Sequence, residues 1–255
     1  MSPICEGSVK SGALSPTLTD KKSPINETLE GYYSFRISVS KQSNVIRSEN
    51  LVEVMEKTLS AAGHKCQALY FAPPGVPIVF LHGLSYTIDI WHRIGVTELL
   101  IEKRVPFLAL DMPYGLRSQC QPKTRNPEAN VVVAAEAVKN VFGSAVPVLV
   151  GASIGGNIAL RYATRFPVKG LLLIAPARAL DKDLLKLYGK FNFPVKIIWG
   201  SQDNFISGEE MRTLSDKLPN AKLLVYNGAS HSAYRDQPEL FKRDLLELYA
   251  TAEQT

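Results

Sequence analysis

The chain has 255 residues, 45% of them hydrophobic, with 29 Lys or Arg, 24 Asp or Glu and a formal net charge of +5. This length and apolar content are enough to build the core of one ordinary domain. The basic residues are scattered and mostly alternate with acidic ones, which argues against a nucleic-acid-binding surface. No apolar run reaches the length of a membrane span, so no spanning segment is expected.

The cysteines predict free thiols in a reducing compartment. Cys5, Cys66 and Cys120 are odd in number, lie far apart and form no C-x-x-C pair of the kind that binds zinc or carries out redox chemistry. The N-terminal residues also lack the apolar segment of a secretory signal. These features together predict a cytoplasmic location.

The domain organisation is predicted from composition. Residues 1–30 are rich in Ser, Pro, Thr and Lys and show no periodicity, which predicts a flexible extension. Residues 31–255 are expected to form a single domain, with a core that covers about residues 51–250.

Three stretches before residue 78 alternate between apolar and polar residues, which is typical of strands. Residues 33–39 predict one strand, whose place in a sheet stays open. Residues 51–59 and 64–71 flank a turn at residues 61–63 and predict an antiparallel hairpin at the sheet edge.

From residue 78 onward, short apolar strands alternate with amphipathic helices. The predicted strands are residues 78–81, 107–110, 146–150, 170–174, 195–199 and 222–226. The predicted helices are residues 87–103, 127–142, 154–166, 182–189, 208–218 and 238–249. This alternation predicts an α/β fold with a mostly parallel sheet, helices on both faces and a binding crevice at the carboxyl ends of the strands.

Residues 148–162 carry the most specific signal. A β-branched apolar run ends at Gly151, and apolar residues recur at helical spacing after Ser153. The pattern Gly151-x-Ser153-x-Gly155 between a strand and a helix is typical of a nucleophile elbow, whose strained backbone exposes the serine hydroxyl. Turn serines are common without a catalytic role, but this setting favours Ser153 as a nucleophile. The N–H of Ile154 at the helix N-terminus would then help to stabilise an oxyanion.

An acid and a base follow in the chain. Asp203 comes just after the predicted strand 195–199, and His231 lies in a loop of small residues after the last predicted strand. Alone, such an Asp could start a turn or cap a helix, and such a His could simply be solvated. Ser, Asp and His nevertheless occur in the order that hydrolases with this elbow use, each just past a strand end, which predicts a catalytic triad.

The loop after the first parallel strand predicts the second oxyanion donor. It reads His82-Gly83-Leu84-Ser85, and the N–H of Leu84 is placed to complete the hole. His82 competes with His231 as the base, but it lies in the wrong loop, and its ring is expected to bond to nearby backbone.

Three other carboxylates lie near strand ends. Asp111 belongs to a turn that suits a structural role. Asp181 and Asp183 are expected to cap and begin a short helix. Asp203 therefore remains the preferred acid.

These motifs resemble those of the α/β-hydrolase superfamily, and within it those of a small serine hydrolase. The resemblance covers roughly residues 51–250. It is carried by Leu81-His82-Gly83, Asp111-Met112-Pro113-Tyr114-Gly115, Gly151-Ala152-Ser153-Ile154-Gly155-Gly156, Trp199-Gly200-Ser201-Gln202-Asp203 and Gly228-Ala229-Ser230-His231. It implies that Ser153 is the nucleophile, His231 the general base and acid, and Asp203 its orienting partner, with the N–H groups of Leu84 and Ile154 in the oxyanion hole.

Two departures from the family pattern concern the substrate. The loop that usually reads Asp-x-Pro-Gly-x-Gly here carries Tyr114, so an aromatic residue is expected near the mouth of the site, where it and Ser85 would bind substrate. Many members insert a cap domain after the strand that ends at Ile174, but only about twenty residues separate Ile174 from Val195. An open site is therefore expected, covered at most by the short helix near residues 184–185.

The predicted reaction is hydrolysis of a carboxylic ester or related acyl compound through an acyl-enzyme. The partner is a small-molecule acyl substrate, no metal or organic cofactor is needed, and the oligomeric state stays open. Thioester cleavage or acyl transfer on the same triad is one alternative. A non-catalytic protein that binds a ligand or another protein on this fold is another.

Overall fold

The structure, a computed structural model, describes residues 54–254. These residues belong to one compact unit, Glu49–Thr255. The predicted extension 1–30, the predicted strand 33–39 and the first residues of the predicted hairpin lie outside the described residues.

The described part of the chain alternates between strands and helices after an initial hairpin. Its strands are β1 (Met55–Ala61), β2 (His64–Phe71), β3 (Ile78–Leu81), β4 (Phe107–Leu110), β5 (Val148–Ala152), β6 (Gly170–Ile174), β7 (Val195–Gly200) and β8 (Ala221–Tyr226). Its α-helices are α1 (Asp89–Arg93), α2 (Val96–Glu102), α3 (Pro127–Phe142), α4 (Ile154–Ala163), α5 (Lys182–Leu185), α6 (Gly208–Lys217), α7 (Ala233–Asp236) and α8 (Pro238–Glu253). A 3₁₀ helix, Tyr188–Lys190, follows α5.

All of these strands join one sheet in the order β1-β2-β4-β3-β5-β6-β7-β8. The six strands β3 to β8 run parallel to one another. Strand β2 pairs antiparallel with both β1 and β4. This confirms the predicted α/β-hydrolase fold, with its mostly parallel sheet and its antiparallel hairpin at the N-terminal edge. The carboxyl ends of β3, β5, β7 and β8 therefore lie along one edge of the sheet, where the candidate site residues follow.

The sheet is covered on both faces because its central strands are apolar throughout. Val79 and Leu81 of β3 pack in the core that contains α3, α4 and α6. Ile78 and Phe80 alternate with them and pack in the core that contains α1, α2, α7 and α8. Burial on both faces explains why these strands read as continuous apolar runs in the sequence.

The helices differ from the sequence-based expectations in two places, at Gly95 and at the short helix α7. The predicted helix 87–103 is two helices, α1 and α2, because Gly95 between them adopts a left-handed backbone with φ of 69°. The helix α7 was not predicted, since four residues are too few to show a helical period. Helix α3 has the predicted bounds, with the Asn126 side chain capping its first turn.

The prediction of free thiols is wrong for two of the three cysteines. Cys66 on β2 and Cys120 in the loop after β4 form a disulfide, with their Cα atoms 4.0 Å apart. The neighbouring residues Lys65 and Gln121 pair as an antiparallel bridge, which places the cysteines opposite one another. Because 54 positions separate them, only the pairing of β2 with β4 reveals the contact. The disulfide removes one of the two reasons for a cytoplasmic location, which stays a prediction.

The segment between β6 and β7 contains only α5 and the 3₁₀ helix, so no large cap covers the sheet edge. Leu184 of α5 is buried in the core beside α4 and does not reach over the site. Within residues 54–254, no helix combines the length and the apolar content needed to cross a membrane.

Candidate active site

Ser153 lies at a sharp turn between β5 and α4. Its backbone has φ of 52° and ψ of −112°, and its N–H donates to the carbonyl of Ile174 at 2.8 Å. A Cβ atom at Gly155 would collide with the carbonyl of Leu81, and one at Gly151 would collide with the backbone of Gly155. The two glycines thus allow strand and helix to close around a strained serine, which is the geometry of a nucleophile elbow.

Asp203 and His231 are joined by a hydrogen bond. His231 Nδ1 donates to Asp203 Oδ2 at 2.7 Å, and the Asp203 side chain is fully buried. Asp203 Oδ1 accepts from the N–H groups of Phe205 at 2.8 Å and Ile206 at 3.0 Å, so the carboxylate cannot rotate freely. With its proton on Nδ1, the neutral imidazole keeps Nε2 free to accept a proton, as a general base requires.

Gly200, at the end of β7, allows the loops of Asp203 and His231 to meet. A Cβ atom there would collide with the carbonyl oxygens of Ser230 and Ala229. The N–H of Gln202 donates to the carbonyl of Ala229 at 2.9 Å across the same contact. The contact between Asp203 and His231 therefore requires the absence of a side chain at Gly200, which no sequence pattern indicated.

We expect Gly200→Ala to lower the free energy of unfolding by about 1–3 kcal/mol, because the new methyl group must push the two loops apart. Turnover should fall with it, since the contact between Asp203 and His231 depends on the spacing of these loops. Urea unfolding monitored by circular dichroism measures the stability change. Gly189→Ala is the matched control, because a Cβ at Gly189 would meet no atom within 4 Å. An equal loss of stability in both variants would refute the packing argument.

Ser153 and His231 line one cavity of 470 Å³ at the carboxyl edge of the sheet. The remaining lining residues are Gly83, Leu84, Ser85, Tyr86, Ala152, Ala177, Gln202, Asn204, Phe205, Ile206, Ser230, Ser232 and Tyr234. Among residues 54–254, the Ser153 hydroxyl makes no hydrogen bond to the His231 ring, as is common for catalytic pairs before substrate binds. No residue of α5 lines the cavity, so the site is open.

The two expected oxyanion donors flank Ser153. A Cβ atom built on Gly83 would lie 3.9 Å from the Ser153 Cβ, which places the loop of Leu84 beside Ser153. Ile154 is the first residue of α4, so its N–H has no partner within the helix. Among the described residues, neither the Leu84 nor the Ile154 N–H donates to a protein acceptor. Both groups are thus available to an oxyanion near Ser153.

His82 is buried and bonds to the backbone. Its Nδ1 donates to the carbonyl of Gly83 at 2.8 Å, and its Nε2 accepts from the N–H of Met112 at 2.9 Å. Asp111 accepts from the N–H of Gln119 at 2.7 Å. Burial raises the pKa of Asp111, but its contacts with His82 and Gln119 outweigh burial, and the pKa lies below its ordinary value. The predicted structural roles of His82 and Asp111 are confirmed by these contacts.

Tyr114 does not line the cavity, so its interpretation as a substrate-binding residue is wrong. Its side chain is buried, and its hydroxyl donates to the backbone carbonyl of His82 at 2.6 Å. A turn from Met112 to Gly115 directs the ring inward against the His82 ring, with centroids 5.3 Å apart. Burial also raises the pKa of Tyr114 well above its ordinary value, so the hydroxyl stays a donor. Tyr114 therefore packs against the loop that begins at His82.

Ser85 lines the cavity, where contact with a substrate stays a prediction. Phe205 was not identified from the sequence, although it follows Asp203 by only two residues. Its side chain is 81% exposed at the cavity edge, with its ring centroid 5.1 Å from that of His231. Its ring packs beside the His231 ring and adds an apolar side chain to the cavity entrance.

The competing carboxylates Asp181 and Asp183 bind a buried arginine. Arg161 on α4 donates to Asp181 Oδ2 at 3.0 Å and to Asp183 Oδ2 at 2.6 Å. Neither carboxylate lines the cavity or contacts His231. They fix the segment before α5 onto α4, which is a structural role, although Asp181 makes no side-chain cap of the kind expected.

The chain resembles known proteins in sequence and in fold. A model described as the alpha/beta hydrolase family matches residues 78–195. Protein ABHD14A of Danio rerio is 29% identical over 178 residues, which cover 68% of this chain and 64%, just under two thirds, of that protein. ABHD14B of Homo sapiens, whose name describes a candidate protein-lysine deacylase, is 28% identical over 207 residues, covering 77% of this chain and 95% of that protein.

Solved structures share the fold at low sequence identity. The structure of a CIB-like hydrolase from Thermoplasma acidophilum superposes with a TM-score of 0.69 and 20% identity, covering 77% of this chain and 97% of that one. Its likeness concerns the fold alone. With the family match over residues 78–195, the curated relatives and the sheet order in agreement, the chain has the α/β-hydrolase fold.

Proposed function

We propose that the protein is a serine hydrolase that cleaves a carboxylic ester or a related acyl compound through an acyl-enzyme. The observation that carries this proposal is the bond of 2.7 Å between His231 and the buried Asp203, in a cavity that also contains Ser153 at a strained elbow. A strained serine, an oriented imidazole and free N–H donors at one place are the parts that acyl transfer requires.

In the first half-reaction, Ser153 Oγ attacks the acyl carbon while its proton passes to His231 Nε2. The carbonyl oxygen becomes an oxyanion, which the N–H groups of Leu84 and Ile154 stabilise. The intermediate then collapses, the bond to the leaving group breaks, and His231 donates its proton to the departing atom. The acyl group remains on Ser153 as an ester.

In the second half-reaction, water attacks the acyl carbon and gives a proton to His231. The bond to Ser153 Oγ then breaks, and His231 returns the proton to the serine. Asp203 holds the imidazole in one tautomer throughout and stabilises its charged form. Every proton and bond in this cycle is accounted for by the triad, the substrate and water, so the proposed reaction calls for no metal or organic cofactor.

A fluorophosphonate probe tests the nucleophile. We expect stoichiometric labelling at neutral pH, with the adduct located on the Ser153 peptide by mass spectrometry, because phosphonylation requires an activated serine and an oxyanion hole. Ser215→Ala, on α6 outside the cavity, should label like the parent chain. Labelling at another residue would displace Ser153, and no labelling would favour a non-catalytic binding protein on this fold.

A second candidate is hydrolysis of an N-acyl-lysine amide, and the observation that favours it is the name of the human relative ABHD14B. The same triad would serve, with His231 protonating a departing amine in place of an alcohol. Comparison of kcat/KM for an acetyl ester, an acetyl thioester and an acetyl-lysine peptide separates the candidates. We expect the ester to be turned over fastest; a clear preference for the peptide or the thioester would replace the ester with that substrate class.

A further inference from the structure

A second polar cluster lies at the edge of the catalytic cavity, built from Tyr86, Ser232 and Arg235. The Tyr86 hydroxyl is 2.9 Å from Ser232 Oγ, and Arg235 Nη1 is 3.1 Å from the same tyrosine oxygen. Tyr86 and Ser232 both line the cavity that contains Ser153. The proposed triad uses none of these three side chains.

The chemistry of the groups fixes the direction of one hydrogen bond and favours one direction for the other. A guanidinium has no acceptor, so Arg235 must donate to the Tyr86 oxygen. Because a phenol is a stronger donor than an alkyl hydroxyl, the favoured arrangement has the Tyr86 hydroxyl donating to Ser232 Oγ, its one acceptor among the described residues. Ser232 therefore accepts from Tyr86 and keeps its own hydrogen for another acceptor.

Asp236 holds the Arg235 guanidinium in place. Its Nε and Nη2 donate to Asp236 Oδ1 at 3.2 and 3.0 Å. Asp236 Oδ2 accepts in turn from the N–H and the hydroxyl of Ser230. Because Asp236 neutralises the guanidinium, the cluster presents an oriented dipole to the cavity and not a net positive charge. Such a dipole suits a neutral acceptor better than an anion.

The position of Ser232 assigns the part of the substrate that it would meet. Ser232 directly follows His231, which hands its proton to the leaving group in the proposed reaction. Tyr86 approaches from the opposite loop, since a Cβ atom built on Gly83 would lie 3.5 Å from Tyr86 Cδ2. The two residues thus connect the loop of Gly83 and Leu84 to the loop of His231 at the cavity wall, and the position of Ser232 next to His231 assigns it to the leaving group.

We propose that Ser232, oriented by Tyr86, donates a hydrogen bond to a neutral acceptor oxygen in the leaving group of the substrate. The inference rests on the proposed hydrolase function and adds to it a preference among leaving groups. Leaving groups that carry an ether or carbonyl oxygen a few bonds from the scissile bond are selected over purely hydrocarbon ones. Ser232 is the specificity-determining residue, and Tyr86 is a positioning residue.

Two esters with the same acyl group and leaving groups of nearly equal size test the inference. 2-Methoxyethyl acetate carries an ether oxygen where butyl acetate has a methylene group. The measured quantity is kcat/KM for 2-methoxyethyl acetate divided by kcat/KM for butyl acetate. Comparing this ratio between variants cancels the intrinsic reactivities of the two esters. We expect Ser232→Ala to lower this ratio about fivefold, the contribution of one neutral hydrogen bond, and Tyr86→Phe to lower it by a smaller factor.

Ser215→Ala, on α6 outside the cavity, is the matched control for the ratio, and Ser85→Ala tests another serine hydroxyl that lines the cavity. An unchanged ratio in Ser232→Ala overturns the inference and leaves the hydrolase function standing. A fall in the ratio for Ser85→Ala alone also overturns the inference, since Ser85 would then donate the hydrogen bond to the ether oxygen of the leaving group. Failure of the unsubstituted chain to hydrolyse either ester would contradict the proposed function, and this inference with it.

Discussion

Ser153→Ala is expected to lower kcat by about 10⁴-fold or more while the protein stays folded. The substitution removes the oxygen that forms the acyl-enzyme, and no other hydroxyl of the cavity lies at the elbow. The structural cost is small, because the Ser153 hydroxyl makes no hydrogen bond within residues 54–254 and alanine keeps the same Cβ atom at φ of 52°. The unfolding free energy should change by less than about 1 kcal/mol.

An ester assay and circular dichroism measured on the same preparation check this result. Ser215→Ala makes the same chemical change on α6, outside the cavity, and controls for handling. Retention of more than a few per cent of the activity in Ser153→Ala would show that another group is the nucleophile. Loss of the circular dichroism signal would instead show that the elbow is needed for folding.

The elbow could be predicted from the sequence because its determinants are local. Gly151 and Gly155 flank Ser153 within five residues, and each glycine is required by a backbone contact that the strand–turn–helix pattern already implies. The strands could be predicted equally well, since burial on both faces of a parallel sheet produces short, continuous apolar runs in the sequence. Chain order then placed Asp203 and His231 at the same sheet edge as Ser153.

Features that depend on contacts between distant segments could not be predicted in this way. The disulfide of Cys66 with Cys120 follows from the antiparallel pairing of β2 with β4, which no spacing in the sequence encodes. The inward direction of Tyr114 depends on the turn that precedes Gly115, so an aromatic residue in the expected loop faces the core and not the substrate. Gly200 likewise matters only because the loop of Ser230 packs against it.

Asp203→Asn is expected to lower kcat by roughly 10³-fold or more, a cost of about 4 kcal/mol in transition-state stabilisation. An amide in this position can donate to the ring, which favours the tautomer with its proton on Nε2 and blocks the general base. It also removes the negative charge that stabilises the imidazolium during attack. The amide oxygen can still accept from the N–H groups of Phe205 and Ile206, so the loop should keep its shape.

Asp181→Asn and Asp183→Asn are the matched controls, because each makes the same chemical change at a carboxylate that binds Arg161 in place of His231. Their effect on kcat should stay below about tenfold, since Arg161 keeps a second carboxylate partner in each variant and the cavity lining is untouched. Parallel steady-state kinetics on one ester provide the comparison. The assignment of Asp203 as the acid fails if either control variant proves the more damaging. It gains support if the loss in Asp203→Asn lies in kcat while KM changes little, because the carboxylate then acts in the transition state and not in substrate binding.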